Sequence, residues 1–321
     1  MHWMTDEDLK LHQVFYPYAF RRQQRMVHSR QRFVHYTRAE AAMSIIKNRQ
    51  VWMRKSSVMN DFMEVEHGIS CLLYAYNGPN GDRFRALFET LHPGITGQFE
   101  EIFNNWQPLF RFETYLTSLS EHDDREDELG RLSMWRAYAS GTGVALVLNP
   151  GVFFTPSDAL HAYTSPVAYM SQDEFRVEFE ALTTGLIREI AFLRTLTRDQ
   201  ILGHVFAIFR AAVLCTKHPG FAEEREWRII YSPQYARSDR IIKEILPVGG
   251  VPQPVCKIPL EDIPEEGLVG ASLAGLLNRI IIGPTTSGVV MQEAFFTLLE
   301  EAGVPDPGSK IWFSRIPLRV S

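Results

Sequence analysis

Charged residues of both signs are concentrated in the short segment Glu224–Arg228, which reads Glu-Arg-Glu-Trp-Arg. Alternate side chains of a β-strand point to the same face, so Glu224, Glu226 and Arg228 would share one face here. Charged groups are costly to bury unless they are paired, so this face is either a salt-bridged surface or part of a polar cleft. In a cleft, two aligned carboxylates beside a positive charge form a candidate functional site.

A histidine and a tyrosine, His35 and Tyr36, end the short β-prone segment 33–36. The spacing of Thr37 and Glu40 is that of a capping box, which predicts that a helix begins directly after the strand. Strand ends often carry functional groups because the scaffold is rigid while the tip stays accessible. His35 is therefore a candidate site residue, and a structural histidine bonded to the backbone is the alternative.

Two other segments carry polar or aromatic side chains that can contact a ligand. Asn60 and Asp61 are expected at a helix start, where such residues cap the helix or touch a bound molecule. Trp135 and Tyr138 are three residues apart in a predicted helix, so they share one helix face. Paired aromatic rings of this kind either fill a core or form a stacking wall for a planar ligand.

The strands and helices that would position these residues alternate without a regular βαβ pattern. The apolar run 144–148 predicts a buried central strand, and further strands are predicted at 50–54, 113–119, 226–231, 255–258, 279–282 and 311–313. Apolar residues at spacings of three and four predict an inserted helical hairpin at about 173–216, with Thr197 as a cap. We therefore expect one α+β domain over 31–321, with a central mixed or antiparallel sheet and surrounding helices, after a variable lead-in at 1–30.

Composition and charge argue against several classes of protein. Lys and Arg total 33 against 38 Asp and Glu, a net charge of −5, so the chain lacks the basic imprint of a nucleic-acid-binding protein, although a locally basic groove stays open. Cys71, Cys215 and Cys256 are too far apart to predict a zinc site or a disulfide framework. The chain shows neither an apolar run long enough to span a membrane nor a secretory leader, so we expect a cytoplasmic protein that binds no membrane.

Taken in order, these segments resemble an uncharacterised bacterial domain family over most of the chain. The matching motifs are His35-Tyr36, Met59-Asn60-Asp61-Phe62-Met63-Glu64, Ser118-Leu119-Ser120, Trp135-Arg136-Ala137-Tyr138-Ala139 with Gly143-Val144, and Glu224-Arg225-Glu226-Trp227-Arg228. Phe62 stands where the family usually has proline, which changes the rigidity of that turn more than its chemistry. Each motif alone is weak, and their shared order is what makes the resemblance specific.

The family is in turn distantly similar to ADP-ribosyltransferases, in which a histidine, an aromatic residue and a glutamate surround NAD. This likeness implies an ADP-ribosyltransferase-like fold, with NAD as a substrate rather than a resident cofactor. It implies that Glu226 stabilises the oxocarbenium-like centre formed when the nicotinamide–ribose bond breaks, with Glu224 as its helper. His35 would then hold the ribose or the pyrophosphate.

The same likeness implies further contacts with NAD. Trp135 or Tyr138 would stack on the nicotinamide or the adenine, and Arg228 or Arg54 would face a phosphate. The residues implied to contact the dinucleotide are Tyr36, Asn60, Asp61, Trp135, Tyr138, Arg228 and Arg54. The convergence of these groups in one pocket is the structural requirement of this hypothesis.

Three functions therefore remain open from the sequence. The leading hypothesis is an ADP-ribosyltransferase-like enzyme, a toxin or phage-defence effector, that modifies a protein or a nucleic acid. The second is a non-catalytic module that senses a nucleotide or a partner. The third is a metal-dependent nuclease with Asp61, Glu64, Glu224 and Glu226 as Mg²⁺ ligands, although the glutamate segment lacks the usual lysine partner.

Overall fold

The structure is a computed structural model that describes residues 5–58, 63–139, 141–155 and 157–317. Helices alternate irregularly with strands along the chain, and the predicted α+β class is confirmed. The elements in chain order are α1 (Asp6–Phe15), α2 (Pro17–His28), β1 (Arg32–Arg38), α3 (Ala39–Asn48), β2 (Gln50–Lys55), α4 (Glu64–Tyr76), α5 (Pro79–Leu91), α6 (Ile95–Phe112), β3 (Tyr115–His122), α7 (Leu132–Tyr138), β4 (Gly143–Leu148), β5 (Ala162–Pro166), β6 (Ala168–Tyr169), α8 (Gln172–Arg188), α9 (Ile190–Leu193), α10 (Arg198–Leu214), β7 (Thr216–Lys217), β8 (Glu226–Tyr231), β9 (Ile242–Val248), β10 (Val251–Pro259), α11 (Leu273–Leu276), β11 (Leu277–Ile282), α12 (Gly288–Glu301) and β12 (Ile311–Phe313).

The central sheet is mixed, with strand order β12-β11-β4-β1-β3-β2-β10-β9, and β8 pairs with both β3 and β5. β11 and β12 are parallel, whereas the other neighbours in this sheet are antiparallel. The short strands β6 and β7 form a separate parallel pair. All of β4 is buried, as its apolar sequence predicts.

The sheet forks at one edge of β3. β1 pairs with β3 only over residues 32–34, then follows β4 as far as Arg38. β2 reaches the same edge of β3 only at Arg54 and Lys55. Among the described strands, none pairs with residues 117–119 along this edge, so β1, β2 and β3 enclose a wedge-shaped space. This fork positions the site described below.

Two large cores flank the sheet. One is rich in phenylalanine and lies among α4, α5, α6, α8 and α10, and the other packs α3 and α12 against β1, β4 and β11. The N-terminal helices belong to these cores, because Val14 and Phe15 of α1 and Met26 of α2 are buried in them. The segment predicted as a lead-in is thus packed against the rest of the fold. Among the described helices, none combines the length and the apolar character that a membrane crossing requires.

The helical hairpin predicted at about 173–216 is present as α8 and α10, with the short α9 between them. Thr197 caps α10 as predicted: its side chain accepts a hydrogen bond from the Gln200 backbone, and the Gln200 side chain accepts one from the Thr197 backbone. The capping box predicted at Thr37 is wrong. Thr37 lies opposite Val144 in the β1–β4 ladder, so the strand continues through it and α3 begins at Ala39 without a side-chain cap.

The contact between α4 and α10 leads to a prediction about stability. A Cβ atom on Gly68 would lie 2.3 Å from the Val213 carbonyl oxygen, and both groups belong to helix backbones that cannot shift independently. We expect Gly68→Ala to lower the free energy of unfolding by about 2 kcal/mol because it overpacks this contact. Urea denaturation followed by circular dichroism measures the change.

Gly203, also in α10, provides the matched control for this substitution. Outside the adjacent residues and the neighbouring backbone of α10, no described atom lies within 4 Å of a Cβ built on Gly203, so Gly203→Ala should stabilise the protein by about 0.5–1 kcal/mol through helix propensity alone. Equal effects of the two substitutions would show that the close approach of α4 to α10 does not limit stability.

Candidate functional site

The fork in the sheet contains a cleft of about 520 Å³. β1, β2 and β3 form its walls, and α3, α7 and the segment that leads into β8 close it. The residues predicted from the sequence that line it are His35, Tyr36, Arg54, Glu64, Tyr138, Glu224 and Glu226. Trp135 and Arg228 do not line it, and Asn60 and Asp61 lie outside the described residues.

Glu226 lies at the start of β8 and is 5% exposed. One carboxylate oxygen accepts hydrogen bonds from the Ser118 hydroxyl and from Arg228 Nε, the latter at 2.9 Å. Its backbone N–H donates to the Tyr169 hydroxyl at 2.8 Å. β3, β6 and β8 therefore hold this carboxylate in one fixed orientation at the cleft.

Lys217 is a site residue that the sequence analysis missed. Its Nζ lies 2.6 Å from Glu64 Oε1, 2.7 Å from Glu224 Oε2 and 3.4 Å from Glu226 Oε2. The lysine absent from the glutamate segment is thus supplied by β7, which the β6–β7 pairing places beside the cleft. Lys217 follows the apolar run of α10 and the small residues Cys215 and Thr216, and this context is a signal in the sequence that the chain enters the interior there.

The charged side chains of this cluster leave a net negative charge. Glu64, Glu224 and Glu226 contribute three negative charges, and Lys217 and Arg228 contribute two positive charges, so one negative charge remains. Burial alone would raise the pKa of Glu226, but Arg228 and Lys217 outweigh burial and lower the pKa to about 2. Burial alone would lower the pKa of Lys217, but the neighbouring carboxylates outweigh burial and raise it. Glu226 is therefore ionised at neutral pH.

The prediction that Glu224 lies on the same strand as Glu226 is wrong. A 3-10 turn, Pro219–Glu224, precedes β8, and Arg225 has a left-handed backbone with φ of 45°. Ion pairs from Arg225 to Asp123 and Glu126 hold this conformation. Because of the turn, Glu224 reaches the cleft from its rim, whereas Glu226 reaches it from the strand.

The two aromatic residues of α7 have different surroundings. The Tyr138 hydroxyl donates a hydrogen bond to Glu224 Oε1 at 2.8 Å, and the ring lines the cleft. Trp135 is 2% exposed and packs edge-on against Tyr36, with ring centres 4.9 Å apart, and its indole N–H donates to the Leu129 carbonyl. Of the pair, only Tyr138 is placed to stack on a ligand, and Trp135 is a core residue.

Tyr36 supports the cleft without offering a free ring. Its side chain is 6% exposed, and its hydroxyl accepts a hydrogen bond from the Arg131 backbone at 2.9 Å. With Trp135 packed against it, Tyr36 fixes α7 to β1 and so positions Tyr138.

Comparison with known proteins finds a match for one segment of the chain. A family model described as a protein of unknown function, DUF2971, matches residues 134–229. The predicted likeness to an uncharacterised family is confirmed for this segment. No curated protein and no solved structure matches the chain. The DUF2971-like segment contains Tyr138, Lys217, Glu224 and Glu226, whereas His35, Arg54 and Glu64 lie outside it.

Two arginines were predicted to face a phosphate, and the structure separates them. Arg228 is 2% exposed, and its guanidinium donates to Glu64, Glu226 and the Leu214 carbonyl, so it has no free donor directed at a ligand. Arg54 on β2 lines the cleft and donates to the Gln253 side chain and the Val58 carbonyl. Among the described carboxylates, none forms an ion pair with Arg54. Arg54 is therefore the better placed of the two for an anion.

His35 lies on β1, three residues before the strand ends, and lines the cleft. Its Nδ1 is 3.0 Å from the Ser118 carbonyl oxygen, which only accepts hydrogen bonds, so Nδ1 carries the proton. Burial lowers the pKa of His35, and the bond to Ser118 offsets this only in part. A neutral imidazole with Nδ1 protonated leaves Nε2 as a hydrogen-bond acceptor.

The lowered pKa of His35 gives a prediction for acid titration. The unfolded chain binds a proton at this histidine below about pH 6.5, whereas the folded protein resists it, so His35 reduces stability as pH falls through that range. We expect NMR to show the His35 ring titrating below about pH 6.5, with His35→Gln used to assign its signals. A titration midpoint at or above about pH 6.5, the ordinary pKa of histidine, would contradict the buried, neutral state.

Within residues 5–58, 63–139, 141–155 and 157–317, no group of three or more His, Cys, Asp or Glu side chains is arranged to hold a metal ion. The carboxylates of the cleft are instead directed at Lys217 and Arg228. Cys71, Cys215 and Cys256 are buried free thiols.

Proposed function

We propose that the chain is an ADP-ribosyltransferase-like enzyme that cleaves NAD and transfers ADP-ribose to a protein or nucleic-acid acceptor, in the role of a toxin or phage-defence effector. The observation that supports this most is the convergence of His35, Tyr138 and the Glu224–Glu226 pair in one cleft of about 520 Å³. Its size lies in the usual range for small-molecule and cofactor sites.

The charge of the cleft suits the chemistry of this bond cleavage. Loss of nicotinamide leaves an oxocarbenium-like ribose that carries positive charge. A fixed carboxylate beside that carbon stabilises the charge as it develops, and the effect is strong where water is excluded. Glu226 is held in one orientation and belongs to a cluster with one net negative charge, which meets this requirement. In this proposal, Glu224 at the rim accepts a hydrogen bond from a ribose hydroxyl.

The other side chains of the cleft suit the rest of the dinucleotide. The Tyr138 ring offers a stacking surface for the nicotinamide or the adenine. His35, neutral and with a free acceptor at Nε2, suits a ribose hydroxyl, and Arg54 suits the pyrophosphate. Each of these contacts is part of the proposal.

The test uses NAD labelled on its adenine-ribose portion. Purified protein is incubated with labelled NAD and with separate pools of protein, RNA and DNA, and both free nicotinamide and labelled acceptor are measured. We expect release of nicotinamide and transfer of label to one class of acceptor. Binding of NAD too weak to detect, together with no consumption of NAD in any pool, would refute the proposal.

A second candidate, a nucleotide-sensing module without catalysis, is favoured by one observation. The Glu226 carboxylate already accepts hydrogen bonds from Ser118 and Arg228 and lies beside Lys217, so a substrate must compete with these groups. In that case NAD binds without turnover, and calorimetry detects binding while no nicotinamide is released.

A further inference from the structure

A second unusual charge lies in α10, away from the cleft. Arg210 is 7% exposed, and its guanidinium carbon lies 4.3 Å from the ring centre of Tyr163 and 4.4 Å from that of Tyr235. Phe206 lies further off, at 5.9 Å. Neither Arg210 nor the two tyrosines line the cleft in the sheet, so they form a separate feature.

The hydrogen-bonding capacity of this guanidinium is not used by the described part of the chain. Its Nε is buried and has no hydrogen-bond partner there, and no described carboxylate forms an ion pair with it. Contact with the tyrosine rings stabilises the flat face of a guanidinium but uses none of its N–H donors, which lie in its plane. The Tyr163 hydroxyl beside it is likewise buried without a partner.

Neighbouring side chains do not supply the missing acceptor. The Tyr16 hydroxyl lies 2.9 Å from His204 Nδ1 and is engaged in that hydrogen bond. Burying a cation without a hydrogen-bond acceptor costs free energy. Arg85 is an arginine of this chain that contacts a tyrosine ring and does have acceptors. Arg85 lies 4.6 Å from the Tyr76 ring centre and also donates to Asp82 and to the Tyr76 carbonyl.

We propose that Arg210, together with the Tyr163 hydroxyl, forms a binding site for a small anion that carries a carboxylate or a phosphate. The planar fork of a guanidinium matches both groups, which accept two parallel hydrogen bonds. Tyr235 is 49% exposed and its ring centre lies 4.4 Å from the guanidinium carbon, so it forms the solvent side of the site. The site is independent of NAD cleavage and does not rest on the proposed enzyme activity.

Trp106 gives the site a local reporter, because its ring lies 5.9 Å from that of Tyr235. Inorganic phosphate and acetate are titrated separately into the full chain, with chloride at equal ionic strength as the reference. Binding is followed by calorimetry and by tryptophan fluorescence, and Trp106→Phe identifies the local signal. We expect saturable binding of at least one of the two anions, and the stronger of them defines the class of ligand.

Three variants distinguish anion binding at Arg210 from a non-specific effect of ionic strength. Arg210→Gln should abolish binding, and Tyr163→Phe should weaken it roughly tenfold, the effect of one lost hydrogen bond to a charged group. Arg85→Gln removes an arginine that also contacts a tyrosine ring, and it should leave binding unchanged. Tyr163→Phe keeps the packing of the ring, so it tests the site even if Arg210→Gln fails to fold.

The outcomes that overturn the proposal are distinct from those expected. No saturable response to either anion, or a response equal to that of chloride, would show that the ring contacts alone accommodate Arg210. Anion binding that survives Tyr163→Phe unchanged and is lost in Arg85→Gln would place the anion elsewhere.

Discussion

Replacing Glu226 by Gln should lower the rate of nicotinamide release by about a hundredfold to a thousandfold, the usual effect of removing one preorganised electrostatic group. The amide has nearly the shape of the carboxylate but no negative charge, so the cluster changes from one net negative charge to none. Because the interaction is strongest in the transition state, kcat should fall far more than KM changes. Steady-state kinetics with NAD as the varied substrate measures both.

Glu121→Gln is the matched control for this loss of charge. Glu121 is 6% exposed, pairs with Arg22 and accepts a hydrogen bond from the Trp227 indole at 2.9 Å, yet it does not line the cleft. It should retain most of the activity even if its stability falls. Comparable losses in the two variants would point to disturbed folding, and Glu226→Gln with activity near that of the parent protein would remove Glu226 from the mechanism.

Local sequence patterns predicted a strand or helix correctly where the pattern is compatible with few other structures. The continuous apolar run 144–148 has few alternatives to a buried strand, and it is β4. Helical spacing and a reciprocal cap at Thr197 predicted the hairpin. At Thr37 the same reasoning failed, because pairing with β4 outweighed a cap that the sequence also allows.

Only part of the site could be predicted from the sequence. The contacts that could not be predicted join residues that are far apart along the chain. His35, Glu224 and Glu226 stood out by residue type, and the fork brings them together. Lys217 could not be predicted as their partner, because its contact with Glu64 joins residues far apart in sequence and depends on how β7 packs against α4. Periodicity showed that Trp135 and Tyr138 share a face, but not which of them reaches the edge of the core.

Lys217→Met should be the most destabilising substitution in the cleft. The Lys217 side chain is 6% exposed, and the Glu64 and Glu226 side chains are 8% and 6% exposed. Without the ammonium group, Arg228 is the one cation left to the buried Glu64 and Glu226 and to Glu224 at the rim, and two net negative charges remain in the cluster. We expect a loss of about 3–5 kcal/mol in the free energy of unfolding, as for other buried pairs that lose one partner. Urea denaturation at about pH 7 measures it.

The pH dependence of this variant tests the electrostatic cause. Uncompensated carboxylates in the interior have raised pKa values, so their protonation favours the folded state and stability is lost as pH rises. Lys217→Met should therefore regain stability between about pH 7 and pH 5, whereas the parent protein should not. Adding Glu64→Gln to Lys217→Met restores one net negative charge and should recover part of the loss at neutral pH.

Lys257→Met provides the control for an ordinary lysine–glutamate pair. Lys257 lies 2.7 Å from Glu244, whose side chain is 42% exposed, so the loss should be below about 1 kcal/mol and insensitive to pH. A loss of that small size for Lys217→Met would mean that water reaches the cluster and screens it. The same water would weaken Glu226 as an electrostatic catalyst, so this measurement of stability bears directly on the proposed chemistry.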